Sequence, residues 1–410
     1  MDGRRYIGAK LRKEKDDIII CDLRKGKTMA NSKLSDAKNA KNDEFYTQYS
    51  DIEKEINAYL EYDPNVFKGK TILLPCDDPE WSNFTKYFAQ NFTNFGLKKL
   101  ISTSYAPDSK KYQIDYQPSL FEVHSPQYDY SKTSKYGKIF ILTHDTSNDG
   151  KVDVNDLEWD YMKGDGDFRS DEVKKLRDES DIVITNPPFS LFRDFLAWII
   201  EANKQFVIIG NLNAITYKEV FPLIKENKMW MGNGFHAGNA YFSSPSAKDY
   251  GEGVYSSDTG LVKFRNVCWF SSLDHGRRHR PLPLMTMADN IKFSKHKEVK
   301  GSDYQTYDNY NAIEIPYTDA IPSDYDGIMG VPISFLDKYS PDQFDIVGMC
   351  ENEDLYKLKT KVYATDECKQ AYIAKFGKKG TYDLNASGVV IRNGLYEKVY
   401  QRVLIKHKGR

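Results

Sequence analysis

Between residues 41 and 230 short apolar runs alternate with stretches of helical periodicity, and this alternation restricts the fold more than any other feature of the chain. Asp51–Tyr62 sets Ile52, Ile56, Tyr59 and Leu60 on one helical face. Ser82–Phe92 does the same with Phe84, Tyr87, Phe88 and Phe92. Lys70–Leu74, Lys98–Ser104, Lys138–Thr143, Asp181–Thr185 and Gln205–Ile209 are short and apolar and read as strands, with Leu191–Ala202 a helix between the last two. A turn follows Lys138–Thr143 at Asn148-Asp149-Gly150. Strands that alternate with helices predict an α/β fold, a mostly parallel sheet covered on both faces.

The flanks differ. Residues 1–40 are polar and rich in Lys and Arg, and read as a basic arm that is poorly ordered or orders on binding. After Trp230 Gly, Tyr, Ser, Pro and Asn become dense and helical periodicity fades. The β-like runs there, Leu261–Phe264, Val267–Phe270, Gly327–Ile333 and Gly388–Ile391, predict a second, α+β domain over 231–410. No apolar run approaches the roughly 20 residues that span a membrane. The N-terminus has no signal-peptide core. Cys21, Cys76, Cys268, Cys350 and Cys368 are scattered, which speaks against a disulfide scaffold or zinc site and suits a reducing compartment. A soluble cytoplasmic protein is expected.

The segment Asp181-Ile-Val-Ile-Thr-Asn-Pro-Pro-Phe189 carries the chemistry. A buried strand ends at Thr185, the tetrad Asn186-Pro187-Pro188-Phe189 follows, and a helix is expected from Ser190 as N-cap. The tetrad therefore falls at the carboxyl end of a parallel strand, where open α/β sheets bind ligands. The exocyclic amine of adenine is a poor nucleophile because its lone pair is delocalised into the ring. An acceptor on each N–H draws that pair toward an incoming methyl group. The Asn186 amide oxygen and the Pro187 carbonyl supply two acceptors, the prolines stiffen the loop, and Phe189 offers a face for an extruded base. The bland alternative is a rigid Pro-Pro loop beside a core Phe; the strand before and helix after weigh against it.

The net charge is −1, so any grip on nucleic acid must come from local basic patches. The densest in the second domain is His275-Gly-Arg277-Arg278-His279-Arg280 with Lys292, Lys295, Lys297 and Lys300, read as phosphate and base contacts or as a solvated loop. Asp145–Asp156 has some spacing of a calcium loop, but the strand-like run before it favours a hairpin, so no metal is expected. There is no Ser/His/Asp set and no nuclease motif.

The chain resembles adenine-specific DNA methyltransferases, and the EcoRI-type modification methylase family in particular. The resemblance runs from about residue 31 to 345. It is carried by Lys41-Asn-Asp-Glu-Phe-Tyr-Thr-Gln48, Cys76-Asp-Asp-Pro79 with Ser82-Asn-Phe84, Gly164-Asp-Gly-Asp-Phe-Arg-Ser170, Thr185–Leu191, Ile215–Phe221 and Gly330-Val-Pro-Ile333. It implies a Rossmann-like S-adenosylmethionine-dependent sheet with a C-terminal target-recognition region. It implies cofactor contacts at Phe45, Tyr46 and Thr47, at Cys76, Asp77, Asp78 and Ser82, and at Asp165, Asp167 and Phe168. Asn186, Pro187, Pro188 and Phe189 match the catalytic tetrad. The order of motifs resembles the gamma arrangement of amino-methyltransferases. The expected partner is double-stranded DNA, gripped through Arg277, Arg278, Arg280, Lys292 and Lys295, with a cognate restriction endonuclease on the same site and the enzyme a monomer. The sequence departs from the general pattern in two places. Pro75–Trp81 lacks the Gly-rich cofactor loop, and Lys98–Ser104 lacks the acid that holds the ribose. The EcoRI-type family shares both. A methyltransferase acting on RNA or a protein glutamine, and an inactive DNA-binding subunit, are the alternatives.

Overall fold

The computed structural model describes residues 45–75, 77–78, 82–106, 123–144, 152, 156, 158–235, 239–244, 247–251 and 253–409. The basic arm at 1–40, Cys76 and most of the Asp145–Asp156 segment lie outside the described residues. The chain divides into two compact units, one of 1–60, 64–212 and 238–270, the other of 61–63, 213–237 and 271–410.

The first unit is built on strands β1 (Tyr46–Thr47), β2 (Thr71–Leu74), β3 (Lys99–Thr103), β4 (Lys138–Leu142), β5 (Glu158–Tyr161), β6 (Ile182–Thr185) and β7 (Gln205–Asn211). It also contains β8 (Asn239–Ser243), β9 (Tyr255–Ser256), β10 (Leu261–Arg265) and β11 (Val267–Ser271). Seven of these line up as β5-β4-β3-β2-β6-β7-β11. The pairs β2–β3, β2–β6 and β6–β7 are parallel. At one side β3–β4 and β4–β5 turn antiparallel. Burial follows this order. All four residues of β2 and of β6 are buried, as expected of central strands covered on both faces, while burial alternates along β4.

Helices α1 (Tyr49–Tyr62), α2 (Asn83–Gln90), α3 (Asp171–Glu179) and α4 (Phe192–Glu201) fall within one to three residues of the apolar periodicities where those were legible. Ser82 caps α2 by accepting from the Phe84 amide, and Ser170 caps α3 by accepting from Val173. Ser190 does not cap α4. The chain leaves Pro188 through a single 3-10 turn, Phe189–Leu191, and no side chain caps the helix that follows. The paired prolines hold the chain extended up to that point, so the turn begins one residue early. Helix α4 buries Phe192, Phe195, Leu196, Trp198 and Ile199. Each such side chain removed from water contributes about 1.5–3 kcal/mol. Gly210 on β7 is the tightest point of this core: a Cβ there would lie 2.5 Å from the Phe192 ring and 2.9 Å from the Phe270 ring.

A smaller antiparallel sheet, in the order β1-β8-β10-β9, completes the first unit. Composition suggested a boundary at 231, yet residues 239–270 belong to this unit. The change in texture after Trp230 marks irregular connections, not a change of core.

The second unit contains β12 (Ala312–Glu314), β13 (Ile328–Pro332), β14 (Phe344–Met349) and β17 (Arg402–His407), ordered β12-β13-β17-β14. A separate hairpin pairs β15 (Val389–Arg392) with β16 (Leu395–Lys398). Its two-residue turn, Asn393-Gly394, has positive φ at both positions (51° and 72°). Both residue types tolerate the left-handed region that such a turn demands. The unit also holds α5 (Met287–Phe293) and α6 (Thr365–Phe376). Arg402 and Glu314 form a buried ion pair at 2.6 Å, with the Tyr307 hydroxyl on the same carboxylate. Among the described residues no helix is long and apolar enough to cross a membrane.

Candidate active site

Strand β3 lies on one side of β2 and strand β6 on the other, so the strand order reverses between β2 and β6. The carboxyl ends of these two parallel neighbours form that switch point, the place where open α/β sheets bind ligands. Pro75–Asp78 leaves one end and the Asn186 tetrad the other.

Asp77 ties the two ends together. Its side chain is buried (6% exposed) and accepts from the Ser82 hydroxyl at 2.7 Å and from the Thr185 hydroxyl at 2.6 Å. Its main-chain carbonyl accepts from the Ser102 hydroxyl at the end of β3. Burial pushes the Asp77 carboxyl up to about 7; the two hydroxyls pull it back and Asp78 adds to the rise. Thr185 immediately precedes the tetrad, so this carboxyl fixes the position from which Asn186 projects.

Asn186 is held from the opposite side. Its Nδ2 donates to the Phe45 carbonyl at 2.6 Å. A carbonyl only accepts, so the amide must face it with nitrogen, and Oδ1 is turned the other way. That oxygen is buried and has no hydrogen-bond partner among the described residues. Among the described residues no hydrogen bond takes the Pro187 carbonyl either, whereas the Pro188 carbonyl accepts from the Leu191 amide at 2.9 Å. Two acceptors in consecutive residues thus stand unpaired.

Aromatic rings wall this corner. Phe45 and Phe189 stack with centroids 6.0 Å apart and planes at 26°. Phe264 meets Phe45 edge-on at 4.5 Å and Phe189 at 6.0 Å. Phe242 and Tyr250 close the group around Phe45 at 6.2 and 6.0 Å. Edge-to-face rings at these separations hold one another in place. Sequence reasoning found Phe45 and Phe189 but missed Phe242, Phe264 and Tyr250; alternation along β8 and β10 was the available signal for the two phenylalanines, and Tyr250, in the connection after β8, carried none.

Strand β1 brings the predicted Phe45, Tyr46 and Thr47 to the same place. The Thr47 carbonyl accepts from Asn83 Nδ2 at 2.7 Å, a tie that the sequence did not suggest. The Thr47 hydroxyl is buried and, like Asn186 Oδ1, has no hydrogen-bond partner among the described residues.

The 164–170 segment is more divided. Gly166 (φ +80°) lies against the Ser104 carbonyl so closely that a Cβ would come within 2.2 Å of it. This contact brings Asp165 beside the end of β3, where its carbonyl accepts from the Ala106 amide at 2.8 Å. The Asp165 carboxylate caps the Asp167 amide, and the Asp167 carboxylate pairs with Arg169 at 2.5 Å. Phe168, expected beside the cofactor, lies among core rings. It is 3% exposed, its ring packs on Phe195 and Trp198 of the covering helix, and Arg169 lies over it. It is a core residue because α4 presents an aromatic pair that needs a third ring.

The basic residues expected to meet DNA lie in the second unit, and two are otherwise engaged. Arg277 donates to the Asp337 carboxylate and carbonyl, both at 2.6 Å. Arg278 is 8% exposed, lies 4.0 Å over the Trp230 ring and donates to Asn227 Oδ1 at 2.7 Å. Such a side chain supports its own unit more than it can serve a phosphate. Arg280 and Lys292 are exposed, and Lys295 is exposed but paired with Asp319 at 2.7 Å. No group of three His, Cys, Asp or Glu side chains poised for a metal occurs among the described residues.

A family model for adenine-specific methyltransferase EcoRI matches residues 33–408. Type II methyltransferase M.EcoRI of Escherichia coli is 41% identical over 327 residues, 79% of this chain and 91% of that protein. M.MpnI of Mycoplasma pneumoniae is 33% identical over 333 residues, 80% and 89% of the two chains. M.MgeORF184P of Mycoplasma genitalium is 32% identical over 338 residues, 80% and 90%. Both are type II methyltransferases. No solved structure matches. These matches define an adenine-specific DNA methyltransferase. The chain belongs to the EcoRI methylase family.

Proposed function

We propose that the enzyme transfers a methyl group from S-adenosylmethionine to N6 of an adenine extruded from duplex DNA, with Asn186, Pro187 and Phe189 as the residues that meet the base. The reading rests on one observation: Asn186 is clamped through its nitrogen while its buried oxygen has no partner. Leaving a buried acceptor unmade costs about 1–3 kcal/mol, a cost that persists where a ligand completes the bond.

The roles follow from the geometry. Asn186 Oδ1 accepts one N6–H and the Pro187 carbonyl the other, which localises the lone pair on nitrogen. Phe189 supplies a ring edge or face to the extruded base, and its stack on Phe45 keeps it from swinging. Asp77 acts from behind, holding Thr185 and so the strand end. No covalent nucleophile or metal is needed, and positioning with preorganised acceptors accounts for the acceleration.

The residues at the strand ends fit S-adenosylmethionine. Thr47 offers a buried hydroxyl without a partner, suited to a carboxylate or amine, and Asp165 stands at the end of β3 where a ribose or adenine can be held. When bound, the cofactor supplies a methyl group already activated on a positively charged sulfur. Ser82 and Asp77 are tied to each other and shape the turn beneath it.

The parallel strands and their switch point support a Rossmann-like cofactor sheet. The α+β second unit, with Arg280 and Lys292 exposed, is the proposed target-recognition region. The enzyme acts as a monomer in the cytoplasm beside a cognate restriction endonuclease. Mapping modified adenines by long-read sequencing in cells that express the wild type or Asn186→Ala tests the assignment. N6-methyladenine at one short sequence, lost in the variant, is expected. Equal modification by both would remove Asn186 from the chemistry.

A further inference from the structure

The small sheet that walls the site has a second face. Cross-strand pairs put Phe242 and Val262 on one side with Thr47, and Tyr241 opposite Lys263 on the other. Asn239 opposite Arg265 continues that outward row. The inward row is buried, with Phe242 fully so and Phe264 nearly so. The outward row is open: Tyr241 is 41% exposed, and Asn239 and Arg265 are exposed.

Directly opposed residues on one face sit about 5 Å apart, and positions two apart along a strand about 7 Å. Lys263 and Arg265 therefore stand side by side on β10, with Tyr241 and Asn239 as polar neighbours. Neither cation has an ion-pair partner among the described residues, and the outward positions of β1, β8, β9 and β10 carry no acid. The one acid in the described part of the β9–β10 turn, Asp258, is at its far end, beyond Leu261. Two unscreened like charges on adjacent outward positions repel, and a polyanion relieves that repulsion. In a chain of net charge −1 such a patch is the local field that a nucleic-acid grip requires.

We infer that this outward face holds the phosphate backbone of the DNA strand from which the adenine is extruded, with Lys263 and Arg265 neutralising phosphates and Tyr241 and Asn239 donating to them. The inference rests on the methyltransferase reading above. One sheet then serves both steps: its inner rings wall the base pocket, and its outer cations hold the backbone beside it. Phosphate contacts fix register without reading sequence, so this face positions while the second unit reads.

The test uses the full-length enzyme and a duplex containing the methylated site. DNA affinity is measured from 50 to 250 mM salt for wild type, Lys263→Ala/Arg265→Ala and Lys263→Arg/Arg265→Lys. Each neutralised phosphate contributes about 0.9 to the slope of log affinity against log salt. The double alanine variant should lose roughly 1.8 from that slope and bind at least about tenfold more weakly, with S-adenosylmethionine affinity and melting temperature unchanged. The charge-preserving variant should keep the slope. An alanine variant with unchanged slope, in an enzyme whose wild type still methylates the duplex, overturns this face alone. A lowered melting temperature accounting for the loss in both variants also overturns it. Wild type that neither binds nor methylates duplex DNA overturns the methyltransferase reading, and this face with it.

Discussion

The amide nitrogen of Asn186 lies 2.6 Å from the carbonyl oxygen of Phe45, 141 residues earlier in the chain. This contact decides which atom of the Asn186 amide is left without a partner among the described residues. A side-chain oxygen would otherwise sample two orientations of nearly equal cost; here one is fixed by a group that can only accept. The direction of that oxygen is set by the first described residue, just ahead of β1.

Asn186→Asp separates aim from acceptor. A carboxylate facing the Phe45 carbonyl has no proton to donate, so the clamp becomes a repulsion. Methyl transfer should fall at least as far as in Asn186→Ala, about 10²–10³-fold in kcat, and the melting temperature should drop in the Asp variant alone. Radiolabelled transfer assays beside thermal melts check both. Retained activity in Asn186→Asp would mean that the clamp has no part in catalysis.

Asp77 predicts a pH dependence of stability. Its folded-state carboxyl titrates at about 7, against about 4 in an unfolded chain. The folded protein binds the extra proton between those values, so this residue's contribution to stability declines as pH rises from about 4 to 7 and is flat above. Asp77→Asn removes the decline. Urea unfolding at pH 5, 6.5 and 8 should show the variant gaining on wild type as pH rises. Parallel curves at all three values would show the carboxyl already charged when folded.

Gly210→Ala should destabilise the first unit by about 1–3 kcal/mol, because the added methyl meets two rings that cannot both retreat. Denaturant unfolding followed by tryptophan fluorescence reads it. A neutral or stabilising change would show that Phe192 or Phe270 has room to move.

Arg278→Ala tests the reassignment of the basic loop. Losing a guanidinium stacked on Trp230 and bonded to Asn227 should lower stability by roughly 1–3 kcal/mol. The salt dependence of DNA binding should stay as in wild type. Arg280→Ala, at an exposed position, should do the reverse: unchanged melting and a slope smaller by about 0.9. Exchange of these two outcomes would restore Arg278 to the DNA surface.

The parts of the site legible in the sequence are those whose meaning is local. Strand, Asn-Pro-Pro-Phe and helix follow one another within twenty residues, and each element announces itself by periodicity or by proline. Ser82 was visible as a helix start, though its bond to Asp77 was not. Phe242 and Phe264 read as ordinary alternating hydrophobics, because their partner Phe45 is some 200 residues away and only the fold brings β1 beside β8. The burial of Arg278 was not legible because a run of basic residues says nothing about burial. Its place over Trp230 depends on a stacking partner 48 positions upstream. Asn393-Gly394 was a readable hairpin signal that composition alone had hidden in an irregular stretch.

Since what orients Asn186 is main chain, not side chain, residue 45 has two separable roles: its carbonyl aligns the amide and its ring braces Phe189. Ring substitutions there should alter packing and leave the carbonyl's office intact. Cutting the polypeptide just beyond that residue would do the opposite: every tetrad atom would remain, pointing nowhere in particular. An enzyme built this way can be disarmed by losing one main-chain carbonyl just ahead of a two-residue strand.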